Sequence, residues 1–144
     1  MTGPTVDIIS VGKNYGRKQA VQDVSLTVHP GECLALVGHN GAGKTTLMKL
    51  MLGLIRPSVG SLRVLGDDPG NSASVRDRFG IGFLPETVSF DAAMTGIEVV
   101  TFFARLKGVS VVEGLALLER VQLADAASAR VKTYSKGMRQ RLGL

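Results

Sequence analysis

Short apolar runs broken by polar turns fill the first third of the chain. VDIISV (6–11), AVQDVSLTV (20–28) and ECLALVG (32–38) are rich in β-branched residues, and NYGRK (14–18) and HPGE (29–32) separate them. This pattern predicts strands joined by tight turns. The period changes in LMKLMLGLI (47–55), whose apolar residues recur every three or four positions, as on one face of a helix that ends before Pro57. GSLRVLG (60–66) and FGIGFLP (79–85) return to the strand pattern. From about Asp91 the texture becomes helical. Thr95 and Glu98 stand at capping-box spacing before VVTFFARLKG, where Lys107 and Gly108 close the run. Ser110 and Glu113 repeat the device ahead of GLALLERVQL (114–123). A mixed α/β unit over roughly 1–86 therefore precedes a helical unit over roughly 90–144, with no internal repeat and no low-complexity linker.

A length of 144 residues, 44% hydrophobic and 20% charged, suits a soluble globular domain with a real core. No apolar run approaches the ~18 residues of a membrane span. The opening MTGPTVD has no basic stretch followed by an apolar one, so no secretory signal is expected. The single cysteine, Cys33, excludes an internal disulfide framework, and its place in an apolar run predicts a small buried side chain. The net charge of +5 is concentrated at one end. Arg130, Lys132, Lys136, Arg139 and Arg141 lie in the last fifteen residues with no acidic residue among them. Such a segment suits a phosphate ligand, an acidic partner surface or plain solvent. It holds one aromatic, Tyr134, and no nucleic-acid motif, so no nucleic-acid partner is expected.

The chemistry-bearing stretch is Gly38-His39-Asn40-Gly41-Ala42-Gly43-Lys44-Thr45, which fits G-x-x-x-x-G-K-[ST] in full. It follows an apolar run and opens a predicted helix. Its glycines allow backbone N–H groups to converge on phosphate oxygens, and the helix start directs its orphan amides and positive dipole end at the same anion. Lys44 would reach the β- and γ-phosphates, the Thr45 hydroxyl would ligate Mg²⁺, and Thr46 offers a hydroxyl near the α-phosphate. His39 and His29 have no Cys or His neighbour at ligand spacing and read as loop residues rather than metal ligands.

The phosphate loop, the upstream Tyr15 in KNYG and the terminal YSKGM together resemble the nucleotide-binding domain of ABC transporters, from about Val6 to the end of the chain. That resemblance implies an α/β P-loop NTPase core with an antiparallel β subdomain and a helical signature subdomain. It implies ATP and Mg²⁺ as ligands, with Tyr15, 29 residues before Lys44, stacking on adenine. The family's Q-loop corresponds to the stretch holding Glu86, where the family has Gln. Glu86 could ligate Mg²⁺, orient water or meet the membrane partner. The signature LSGGQ corresponds to 134–138. Ser135 and Gly137 match, while Lys136 and Met138 replace Gly and Gln. The resemblance further implies a head-to-tail dimer in which this signature meets the nucleotide of the second subunit. A membrane-spanning permease is the implied partner, and the inner face of the cell membrane the implied cytoplasmic location. The three motifs look most like the export-type branch, and within it like the ATPase subunit tied to copper-site maturation of nitrous oxide reductase.

No run of four apolar residues enters Asp-Glu, and both histidines precede Lys44. The family's Mg²⁺-holding Asp, catalytic Glu and switch His thus have no counterpart. The expectation is a fragment ending before Walker B that holds no catalytic residue, binds ATP and is inactive alone, from a parent ATPase. Two other classes remain open on the sequence: a soluble, non-transport ABC ATPase acting as a ribosome or repair clamp, and a regulator that binds without hydrolysis.

Overall fold

The computed structural model describes residues 3–71 and 80–144. The chain divides into two compact units, Met1–Gly82 and Phe83–Leu144.

In the first unit, β1 (Val6–Tyr15) lies between β2 (Lys18–Val28) and β3 (Val59–Val64), antiparallel to both. The register runs from Val6 opposite Val28 to Tyr15 opposite Lys18, across a two-residue turn at Gly16 and Arg17. Slips between Ile8 and Val11 bulge the central strand, and Ser10 there adopts φ 48°. Bulges of this kind bend a strand and raise its twist. Helix α1 (Lys44–Met51) contributes Leu47 and Leu50 to a core with Ile8, Val11, Val21, Leu62 and Val64. The apolar spacing seen in the sequence is the face α1 buries. Helical geometry begins three residues earlier than that spacing indicates, at Lys44, and ends at Met51.

The second unit is helical. α2 (Gly96–Lys107) begins with the predicted capping box: Glu98 N–H donates to Thr95 Oγ1 at 3.2 Å, and Thr95 N–H donates to Glu98 Oε2 at 2.7 Å. It ends on Gly108, whose φ of 68° is the left-handed conformation that favours glycine at a helix terminus. In α3 (Val111–Arg120) one half of the device is present, with Ser110 Oγ accepting from Glu113 N–H at 3.5 Å. Gly114 of α3 sits against Val100 and Ala104 of α2, where an added Cβ would come within 3.2 Å. A one-turn 3-10 helix (Val131–Thr133) leads into α4 (Lys136–Leu142). Leu118, Leu123, Ala127 and Tyr134 form the buried centre of this unit.

Three sequence expectations fail. Residues 32–39 and 81–85 are not strands; Phe79, also in the second run, lies outside the described residues. A continuous apolar run becomes a strand only when neighbours accept its backbone bonds. Among the described residues, the three-stranded antiparallel sheet places none beside these segments. Val37 is therefore 92% exposed, Leu34 and Phe83 are also exposed, and Cys33 is exposed rather than buried.

Candidate functional site

The phosphate-loop residues form a turn that ends in a helix start without a side-chain cap. Gly41 and Gly43 take φ values of 90° and 88°, and Ala42 N–H donates to the His39 carbonyl at 3.1 Å. Gly43 is the N-cap of α1 and offers no side-chain acceptor; the first turn carries no acidic residue. The opening N–H groups of α1 thus have no intrahelical partner and no side-chain cap, which leaves them for an anion. Gly43 is doubly required. Its φ is left-handed, and a Cβ would overlap the Ala20 carbonyl of β2. The Lys44 ammonium folds back over the loop and donates to the carbonyls of Gly38 (2.5 Å) and His39 (2.9 Å). Two of its three donors hold the loop's shape and one remains. Thr45 is exposed and Thr46 half-buried. His39 Nδ1 pairs with the Asn40 carbonyl at 2.9 Å, a local contact within the loop.

A cavity of about 510 Å³ opens at this turn, lined by Gln19, Ala20, Gln22, His39, Lys44 and Leu47 among others. Tyr15 is outside this lining, half-exposed at the end of β1. It stands opposite Lys18, two residues before the Ala20 carbonyl that Gly43 touches. That separation is roughly 7 Å along β2 and one strand spacing of about 5 Å across. Tyr15 and the phosphate loop therefore sit at the same end of the sheet. A feature invisible to motif reading joins them: Lys13 Nζ lies 5.3 Å from the centre of the Tyr15 ring and donates to the Arg56 carbonyl at 2.8 Å.

The second unit holds the signature residues. Ser135 caps α4, its Oγ accepting from Met138 N–H at 3.1 Å. Gly137 is exposed, and an added Cβ there would meet nothing but Ser135 Oγ, 3.9 Å away. Lys136 and Gly137 face open space, whereas Met138 packs against the core of the unit. Tyr134, one residue earlier, is 3% exposed and donates its hydroxyl proton to the Ala126 carbonyl at 2.7 Å. Burial raises its phenol pKa above the ordinary value. Its own carbonyl accepts from the Arg139 guanidinium. The side chain of Glu86 is exposed, and its carbonyl accepts from Gln140 Nε2 of α4 at 3.4 Å. Sequence reasoning missed Lys13, and it missed Tyr134 as the buried anchor beneath Ser135. Lys13 gave a faint signal, as a basic residue two positions from an aromatic in one strand; the fold alone supplies the Arg56 carbonyl.

Among the described residues no group of three or more His, Cys, Asp and Glu side chains could hold a metal, and no helix is long and apolar enough to cross a membrane. The ABC transporter family model matches residues 21–144. The chain is 42% identical over 143 residues to the uncharacterized ABC transporter ATP-binding protein YxlF of Bacillus subtilis, with 96% of this chain and 46% of that protein aligned. It is 40% identical over 143 residues to the Nod factor export ATP-binding protein I of Rhizobium meliloti, covering 96% of this chain and 42% of that one. It thus spans a little under half the length of these relatives. Among solved structures, an ATP-binding subunit of an ABC transporter superposes with a TM-score of 0.81 at 28% identity, over 96% of this chain and 59% of that one. A nucleotide-free ATP-binding cassette, at 18% identity, shares the fold with a TM-score of 0.75 over 97% of this chain and 65% of that one. The glycine-backed, uncapped start of α1 and these similarities agree: the chain belongs to the ABC transporter family, within its ATP-binding domain.

Proposed function

We propose that this chain binds ATP as part of a transport ATPase that couples ATP binding and hydrolysis to substrate movement by a membrane-spanning permease at the inner face of the membrane. The observation that carries the proposal is the start of α1, whose opening N–H groups have no side-chain cap and where the Lys44 ammonium lies on the loop carbonyls of Gly38 and His39. In this reading the loop amides of 38–43 and Lys44 hold the β- and γ-phosphates, Thr46 the α-phosphate, and Tyr15 the adenine. An export direction is supported by the names of the Nod factor export relatives.

Mg²⁺ fits this site as a companion of the nucleotide. The Thr45 hydroxyl is an exposed hard donor and no carboxylate cluster is present among the described residues, so phosphate oxygens would complete the coordination. The metal's chemistry there is neutralisation of phosphate charge. Glu86 is proposed as a lesser contact, to the metal, to water or to the permease. No residue of 1–144 is assigned to activating water. The chain's own groups bind and orient the triphosphate, and the isolated chain is expected to bind ATP without turning it over.

Ser135 and Gly137 are proposed to act on the nucleotide of a second ATP-binding subunit in a two-fold, head-to-tail pair. The open space over Gly137 and the exposed start of α4 support this, since a phosphate could approach the backbone there without displacing a side chain.

Calorimetric titration tests the phosphate loop. A charge-assisted bond is worth about 1.5–3 kcal/mol, so Lys44→Ala should weaken ATP binding about ten- to a hundredfold and leave adenosine binding unchanged. Unchanged ATP affinity would sink the assignment.

A further inference from the structure

We infer that Lys13 is a positioning residue for nucleobase binding: it covers one face of the Tyr15 ring and fixes that ring relative to the segment leaving the phosphate helix. The inference rests on the proposed stacking role of Tyr15 and deepens it.

Three consecutive residues of β1 are tied to Arg56 and Ser58, in the segment between α1 and β3. The Gly12 carbonyl accepts from Ser58 N–H at 2.8 Å, Lys13 Nζ donates to the Arg56 carbonyl at 2.8 Å, and Asn14 N–H donates to Ser58 Oγ at 3.0 Å. These bonds hold the strand end that carries Tyr15 against the stretch just beyond α1. Because α1 opens with Lys44, they connect the ring to the helix whose start faces the phosphates. Lys13 is the member of this set that touches the ring itself.

An exposed lysine ordinarily samples many rotamers, and ordering it costs entropy. Here the Arg56 carbonyl pins the ammonium, so the cation stays 5.3 Å from the ring centre. Two consequences follow. One face of Tyr15 is occupied, so a base has a single face to use and a defined side from which to approach. The cation also draws ring electron density toward itself, which favours an electron-rich purine on the opposite face. Lys13 is already engaged with a carbonyl and a ring, so it acts on the base end of a nucleotide and not on the phosphates.

The test compares two ligands on the full chain: ATP, and inorganic tripolyphosphate, which has the phosphates and no base. Lys13→Met keeps the length and apolar stem of the side chain and removes the charge. It frees the Tyr15 ring, which must then be ordered on binding, so ATP binding should weaken about two- to tenfold while tripolyphosphate binding stays unchanged. Lys13→Arg, which can still reach the carbonyl and lie over the ring, should retain ATP affinity. In a Tyr15→Ala background, Lys13→Met should have no further effect on ATP. If Tyr15→Ala weakens ATP binding and Lys13→Met does not, the role of Lys13 is overturned and stacking stands. Equal weakening of both ligands by Lys13→Met would mean a general structural or charge effect and would also overturn it. If Tyr15→Ala leaves ATP affinity unchanged, the stacking reading and this inference fall together.

Discussion

Gly96 is the first residue of α2, and a methyl group there has nowhere to go. An added Cβ would overlap the Tyr134 hydroxyl and come within 3.2 Å of the Ala127 carbonyl. The Tyr134 hydroxyl is not free to retreat, because it donates to the Ala126 carbonyl in the centre of the helical unit. Gly96→Ala should therefore force Tyr134 off its site. Overpacking of this kind costs about 1–3 kcal/mol, and the lost hydroxyl–carbonyl bond adds about 1 kcal/mol. The lower backbone entropy of alanine in the unfolded chain returns at most about 1 kcal/mol. The net expectation is destabilisation by roughly 1–3 kcal/mol, and a loss of about 2 kcal/mol in a unit this small lowers the thermal midpoint by roughly 10 °C. Far-ultraviolet circular dichroism during heating reads this directly, since three of the four α-helices among the described residues lie in this unit. A double-mutant cycle sharpens the test. Tyr134→Phe alone should cost about 1 kcal/mol, because the Ala126 carbonyl loses its donor. It also removes the atom with which the new methyl collides, so Gly96→Ala made on top of it should cost at least about 1 kcal/mol less than in the parent. Additive costs, or a neutral Gly96→Ala, would refute the argument.

Two further expectations concern charge and assembly. Bonds from the Thr95 backbone and hydroxyl, with a smaller contribution from Arg130, hold the Glu98 carboxyl below its ordinary pKa. Its stabilising contribution should be complete above the unfolded carboxylate's value and lost as pH falls through the lower folded one; Glu98→Gln should flatten that part of a melting-temperature profile, and an unchanged acid limb would count against it. Ser135→Ala should cost α4 its cap, about 1 kcal/mol, and in the assembled protein weaken ATP-driven dimerisation while monomer ATP affinity holds. Sedimentation with and without ATP decides this, and loss of ATP binding by the monomer would remove the trans reading.

Much of the candidate site was legible because its physics is local. A phosphate loop needs glycines, a lysine and a helix start within a few residues, and a capping box needs two side chains three positions apart. Hence Gly38 to Thr46 and the Thr95–Glu98 cap could be read from spacing alone, and the structure forms both the turn and the cap. The strand runs over 6–11, 20–28 and 60–66 were also visible, but the strands extend to 6–15, 18–28 and 59–64, and pairing carries Asn14, Tyr15 and Lys18 of the expected turn into them.

Spacing could not decide what depends on distant partners. The apolar run around Leu34 and Val37 satisfies every compositional rule for a strand, yet strand geometry is a property of a pair, and no described strand lies beside it. Tyr134 reads as a variant signature residue, and the packing of α2 and α3 made it a buried anchor. Lys13 reads as a surface charge until β1 and the segment after α1 come together and give its ammonium both a ring and a carbonyl. The sequence by itself determined the glycine turn, the lysine and the helix start that are proposed to cradle a phosphate, because short-range backbone geometry and residue chemistry suffice for that. Only the tertiary structure decided which apolar runs are buried and what meets Lys13 and Tyr134, because the Lys13–Arg56 bond and the packing of Tyr134 with Leu118 join residues far apart in the chain.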